Sequence, residues 1–227
     1  MTRPLVIAHR GASGHAFENS LAAFALAKAS GADGVELDIH STLDGVFLVH
    51  HDPEVPGVGR IGALPSERFA AHRLPNGEPI PTLGQVLEEL GEFDVWIELK
   101  TLAPAWDARL LQLMRAGPSP TRYAVHAFDH RIIARIGANA PLLRRGVLSA
   151  SYPLDLLGPL TATGAEALWQ QTDLIDRAMV DTLHAKGKQV IAWTANDADE
   201  IRRLVALGVD GICGNYPERI RELVGSS

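Results

Sequence analysis

Two short stretches place carboxylates where they could do chemistry. In "GVELDIH" (residues 34–40) Glu36 and Asp38 are two apart, and in "VWIELK" (95–100) Glu98 and Lys100 repeat the spacing. Residues two apart on a strand project from one face, so Glu36 and Asp38 point together while Leu37 and Ile39 point the other way. Inward-facing carboxylates on a buried strand are costly unless something compensates them. Three of them on two neighbouring strands repel one another and require a cation. An all-oxygen set suits a hard ion, Mg²⁺ or Ca²⁺. Zinc fits less well, because no Cys/His ligand spacing is present. The competing reading, surface ion pairs just past the strand ends, suits any one of these carboxylates taken singly but not all three.

Two histidines stand at comparable positions. His9 ends the run "LVIA", and His51 follows "FLV". Histidine titrates near neutrality, so a pair beside a cation fits general acid and general base. Taken alone, each is more often a packed or exposed strand-end residue. Arg10 and Lys100 offer positive charge to a phosphate, or they neutralise Glu18 and Glu98. Trp193 and Asn196 close "VIAWTAN". Trp193 either walls a pocket against an apolar part of a ligand or is a strand-end aromatic without one. Ser13 and Cys213 lack a nucleophile setting such as Gly-x-Ser-x-Gly. His15, His72, His130 and His184 read as surface or helix residues.

These residues need strands to hold them. Apolar, β-rich runs recur at residues 5–8, 34–39, 94–99, 123–127, 144–148, 166–169, 189–193 and 211–213. Helical periodicity appears between most of them, over 19–30, 83–90, 106–115, 131–138, 175–186 and 198–207. Strands alternating with helices predict a parallel sheet, and eight strand candidates predict an eight-fold β/α barrel. The carboxylate pairs then lie at the C-terminal strand ends, where a barrel keeps its active site. An open doubly wound sheet is the alternative, but "GASG" after the first strand is not a dinucleotide-binding turn. The segment between residues 39 and 94 is long. It holds one extra strand, "GVFLVHHD", and then a Pro- and Gly-rich stretch. It reads as an excursion with too few apolar residues for a core of its own.

The totals agree with one domain. The chain has 227 residues, 46% hydrophobic and 21% charged, with a net charge of −6. Without a clustered basic face, a nucleic-acid partner is not expected, although a small anionic ligand is compatible with that net charge. The one cysteine, Cys213, allows no internal disulfide, which suggests a reducing compartment. No signal peptide is visible and no apolar run reaches 18 residues. The expectation is a soluble cytoplasmic protein without stable membrane insertion. The pattern is silent on oligomeric state.

Taken in order, "AHRG", "ENS", "GADGVELDIHSTLDG", "VHHD", "PTLGQVLE", "IELK", "AFD", "GKQVIAWTAN" and "GVDGICGNYP" resemble the glycerophosphodiester phosphodiesterase family over nearly the whole chain. The resemblance implies an α/β fold, a TIM (β/α)8 barrel spanning residues 1–227, with a small insertion after the second strand at about 46–81. It implies that a divalent cation, Mg²⁺ or Ca²⁺, is held by Glu36, Asp38 and Glu98. It places the catalytic histidines at His9 and His51, with His50 left open because a one-residue slip would exchange their faces. Arg10 and Lys100 fall on the phosphate-binding cations, with Trp193 beside the substrate, and Glu18 and Asn19 take positioning roles. The implied reaction converts a glycerophosphodiester into glycerol 3-phosphate and an alcohol. Ser20 is a mild change from the Thr of the family's Glu-Asn-Thr motif; Ala127 stands where Ser is usual, and Gly214-Asn215 where Thr-Asp is common. These departures bear on substrate preference more than on activity. Two other functions compete with this one. One is a metal-dependent barrel aldolase or isomerase acting on a phosphorylated small molecule, and the other is a non-catalytic phosphate-ligand binder.

Overall fold

The computed structural model describes residues 3–225; Met1 and Thr2, with which the chain opens, lie outside the described residues. The apolar runs form strands β1 (Leu5–His9), β2 (Gly34–Ser41), β6 (Asp94–Thr101), β7 (Tyr123–Ala127), β8 (Arg144–Ser149), β9 (Ala167–Gln171), β10 (Gln189–Trp193) and β11 (Gly211–Gly214). Each is parallel to its neighbours, and β1 pairs with both β2 and β11, so the eight close into a barrel. Runs such as β2, buried at every position, are what a sheet covered on both faces requires.

Helices α1 (Leu21–Ala29), α2 (Leu83–Leu90), α3 (Asp107–Ala116), α4 (His130–Asn139), α5 (Gly158–Thr163), α6 (Arg177–His184), α7 (Ala198–Leu207) and α8 (Pro217–Gly225) surround the barrel. Helical periodicity predicts six of them. It misses α5, whose "GPLTAT" has no apolar repeat, and α8, "PERIRELVG", which follows the last strand. Several βα turns end in a side chain that caps the next helix. Ser20 accepts from the Ala23 amide and Asp176 from Met179, while Thr82 forms a reciprocal box with Gln85. Each such cap stabilises its helix by about 1 kcal/mol.

Strand alternation divides the core in two. Outward residues, among them Val35, Leu37, Val95, Ile97, Val125, Val147, Leu168, Val190 and Ile212, pack under the helices. Full burial of each large apolar side chain contributes roughly 1.5–3 kcal/mol. Inward residues Ile7, Trp96, Ala124, Leu148, Ala167, Trp169, Ile191 and Cys213 fill the barrel. The chemistry-bearing residues His9, Glu98, His126 and Trp193 continue the same inward rows toward the C-terminal mouth, because each lies two residues beyond an inward core residue.

The excursion begins with β3 (Phe47–Val49), antiparallel to β2 with Ile39 opposite Val49. It continues through a small ladder of β4 (Glu54–Val55) and β5 (Gly59–Arg60). The expectation that it lacks a core fails. Leu48, Val55, Ile61, Phe69, Leu74 and Ile80 bury one another in a separate cluster, with Phe17 packed against it. These residues are spread among Pro and Gly and converge only through turns, so no local periodicity marks them. Among the described residues, no helix is long and apolar enough to cross a membrane.

Candidate active site

The site lies at the C-terminal mouth, in a cleft lined by His9, Arg10, Glu36, His51, Glu98, Lys100 and His126, with Phe128, Leu148, Trp169, Trp193 and Cys213 as its less polar part. Parallel registry sets the first row: His9 lies opposite Glu36, and Asp38, Glu98 and His126 lie opposite one another across β2, β6 and β7.

The turn after β1 is shaped for this purpose. Arg10 has φ 55 and Asn19 φ 56, left-handed conformations that non-glycine residues seldom adopt, so surrounding contacts must hold them. Arg10 Nη1 donates to Glu18 Oε2 at 2.8 Å, and the Asn19 amide N–H donates to the Arg10 carbonyl at 3.0 Å. Gly11, at φ 79, sits against α1 so closely that a Cβ would lie 2.6 Å from the Ala23 carbonyl carbon.

Charge compensation among the carboxylates is uneven. Asp38 Oδ2 lies 3.0 Å from Arg10 Nε and accepts from Asn19 Nδ2 at 2.8 Å, while Oδ1 lies 3.1 Å from Lys100 Nζ. Burial works to raise Asp38, but Lys100, Arg10 and the Asn19 hydrogen bond outweigh it and hold the group down to about 2. Glu36 is 3% exposed and Glu98 7%. Burial, together with the charge on Asp38, raises each to about 7, although Lys100 lies 2.8 Å from Glu98. The deficit of positive charge expected for three carboxylates therefore falls on two. Donor atoms of Glu36, Glu98 and His126 all lie within 4.8 Å of one another, a spacing at which they could hold a metal ion. Asp38 stands beside that cluster, engaged by its two cations.

The histidines are held differently. His9 Nδ1 meets Asn215 Oδ1 at 2.8 Å, and its Nε2 lies 4.0 Å from Glu36 Oε2. An amide oxygen only accepts, so His9 Nδ1 donates to Asn215, and Nε2 is the nitrogen turned toward Glu36. His51 Nδ1 lies 2.8 Å from Asp52 Oδ1, and its carbonyl is anchored 2.9 Å from His40 Nε2. His51 lines the cleft. The neighbouring His50 ring instead engages the Asp52 carbonyl at 2.9 Å and lines only an adjoining 340 Å³ cavity. Trp193 packs edge to face with Phe128, ring centres 5.5 Å apart.

Comparison with known proteins gives this arrangement a family. The model of the glycerophosphoryl diester phosphodiesterase family matches residues 9–219. The chain belongs to that family. A glycerophosphodiester phosphodiesterase of Caldanaerobacter subterraneus subsp. tengcongensis is 32% identical, covering 98% of each chain. One from Bacillus altitudinis is 28% identical over 94% of this chain and 95% of its own. A solved phosphodiesterase of Oleispira antarctica, in complex with the product sn-glycerol-3-phosphate, superposes with a TM-score of 0.91 at 25% identity, covering 98% of this chain and 97% of that one. The chain is thus an enzyme of the glycerophosphodiester phosphodiesterase family.

The departures from the family pattern acquire definite places. Ala127 and Gly214 face outward, under the helices, and not into the cleft. A Cβ on Gly214 would lie 2.1 Å from the Ala195 carbonyl oxygen, not at the mouth. Asn215 is the departure that touches the site, through His9. Of the histidines assigned to surface or helix positions, His15 pairs with Glu218, His184 with Asp210, and His130 donates to the Leu148 carbonyl. Two histidines at or beside the site escape the sequence reading. His126 stands alone in "YAVHAFD" with no local partner. His40 continues the alternation of Glu36 and Asp38, and that continuation is the signal that could have found it.

Proposed function

We propose that hydrolysis of glycerophosphodiesters by this enzyme depends on a divalent cation, Mg²⁺ or Ca²⁺ on the carboxylate chemistry alone, and on proton transfer by His9 and His51. The observation that carries the proposal is the pair of buried, under-compensated carboxylates, Glu36 and Glu98, in a cleft with both histidines. Two carboxylates raised to about 7 by burial form a donor set that fits a cation. Glu36 and Glu98 would hold it. Asp38 could add a lone pair of Oδ1, which has no hydrogen-bond partner among the described residues and faces Lys100 at 3.1 Å. When bound, the ion neutralises phosphate charge and polarises the P–O bond.

Arg10 and Lys100 face the same space and bring their charge to the phosphate oxygens. Asn215 accepts from His9 Nδ1 and leaves Nε2 as the nitrogen through which neutral His9 takes the proton from the attacking hydroxyl, whether of water or of the substrate's own glycerol. His51 lines both the cleft and the adjoining cavity. That cavity suits the leaving alcohol, which His51 protonates as the P–O bond breaks. Trp193 and Phe128 wall the opposite side. Glu18 and Asn19 keep Arg10 and Asp38 in place.

The test is a panel of glycerophosphodiesters incubated with enzyme and Mg²⁺, Ca²⁺ or chelator, scoring glycerol 3-phosphate and free alcohol. Release of both products, abolished by chelation, is expected. Undiminished turnover after exhaustive chelation refutes the cation, and absence of both products from every diester refutes the substrate class.

A further inference from the structure

The mechanism above leaves a buried histidine of the cleft unused. His126 is 1% exposed, on the inward face of β7. Among the described residues its Nδ1 is buried with no hydrogen-bond partner, and no hydrogen bond to its Nε2 is found. Its Nε2 lies 3.7 Å from Glu36 Oε1. A buried imidazole with no hydrogen bond forfeits the compensation that such groups normally find. The surroundings hold the ring in this place. Trp169 packs on it with ring centres 4.2 Å apart, and Trp96 stacks at 6.3 Å. Gly146 makes room, since a Cβ there would lie 2.7 Å from the Trp169 ring and 3.3 Å from His126 Cβ.

We propose that His126 donates a ring nitrogen to the cation held by Glu36 and Glu98, and that this biases the site toward first-row transition ions such as Mn²⁺, Co²⁺ or Zn²⁺ over Mg²⁺ and Ca²⁺. The inference rests on the cation reading of the site. The 3.7 Å separation of Nε2 and Oε1 is within the span over which two donors share an ion with bonds of about 2.1 Å. Imidazole suits transition ions, whereas Mg²⁺ and Ca²⁺ prefer oxygen. No short Cys/His spacing announces such a site, because its donors come from β2, β6 and β7, and only barrel registry brings them together.

Calorimetric titrations of the metal-free full-length enzyme with Mg²⁺, Ca²⁺, Mn²⁺, Co²⁺ and Zn²⁺ test the ranking. Pulsed electron paramagnetic resonance of the Mn²⁺ form reads ¹⁴N coupling directly in the wild type. Co²⁺ and Zn²⁺ should bind at least about 100-fold tighter than Mg²⁺. His126→Phe keeps an aromatic ring between the tryptophans. It should lose the ¹⁴N coupling and weaken Co²⁺ binding by at least roughly 10–100-fold, the usual loss even for an outer-shell partner, while Mg²⁺ binding changes far less. His9→Ala should keep the coupling. A bound ion without ¹⁴N coupling, or coupling lost in His9→Ala and kept in His126→Phe, overturns the role of His126 and leaves the cation site standing. Failure of every ion to bind removes the cation reading and this inference together. If His126→Phe does not fold, the wild-type spectrum and His9→Ala still decide.

Discussion

Removing divalent cation should make the enzyme lose stability as pH rises from about 4.5 to 7. Glu36 and Glu98 are each raised from 4.5 to about 7 in the folded protein. In that interval the folded state keeps protons that the unfolded chain has already released. The contribution is therefore fully present below about 4.5 and is lost as pH rises through 7. For one carboxylate the shift from 4.5 to about 7 corresponds to about 3 kcal/mol, at 1.36 kcal/mol per pH unit. The two share neighbours and titrate together, so their joint effect is less than twice that. His126 acts in the opposite sense. Lowered from 6.5 to about 4, it contributes stability above 6.5 that is lost as pH falls toward 4. Urea unfolding in chelator between pH 5 and pH 8, for wild type and for the double variant Glu36→Gln with Glu98→Gln, separates the two effects. Wild type should lose about 2–3 kcal/mol relative to the variant across that range. Saturating cation should reverse the loss, since an ion at 100 times its Kd stabilises by about 2.7 kcal/mol. Parallel stability curves for the two proteins in chelator would refute the claim that these carboxylates are under-compensated.

Other substitutions have distinct signatures. His9→Ala and His51→Ala should each lower kcat on glycerophosphocholine by roughly 10²–10⁴, with thermal stability and cation binding retained, whereas His50→Ala should be mild; a reversed order of His50 and His51 in steady-state kinetics contradicts the placement. Asn215→Leu removes the acceptor that fixes the His9 ring and should cost roughly 10–100-fold in kcat. Asn215→Asp, which restores an acceptor, should keep more activity and change cation affinity by less than about tenfold, or 1.4 kcal/mol; a larger gain in a cation titration would place residue 215 among the ligands. Gly214→Ala should lower the melting temperature through overpacking of about 1–3 kcal/mol or more against the Ala195 carbonyl, and a change confined to substrate ranking would contradict the outward orientation of that position.

The eight strands were legible because barrel strands buried on both faces leave apolar runs such as "LVIA" and "QVIAW". The inward pairs Glu36/Asp38 and Glu98/Lys100 followed from alternation alone. What alternation could not show was how charges from different strands balance. Arg10 and Lys100 satisfy Asp38 through registry and a left-handed turn, and neither can be read locally. His126 was invisible for the same reason: in "YAVHA" it is one polar residue in a buried strand, and its significance depends on Glu36, Glu98 and Trp169, which are distant in sequence. His40 was closer to hand. It serves His51 by holding its backbone, a role that only the β2–β3 pairing makes possible.

That pairing also divides the enzyme's cooperativity. On β3, Phe47 and Val49 belong to the main core, while Leu48 belongs to the small apolar cluster of the excursion. Three residues thus join two packing clusters of unequal size, with His9 on barrel strand β1 and His51 just past the strand that joins them. Units with few buried contacts open at lower free energy than the whole. Gentle heating or dilute denaturant would then release the second histidine from its register while the barrel, and any ion within it, stays intact. Turnover would fade ahead of unfolding, and amide exchange across residues 53–80 would report the loss before any probe of the strands does.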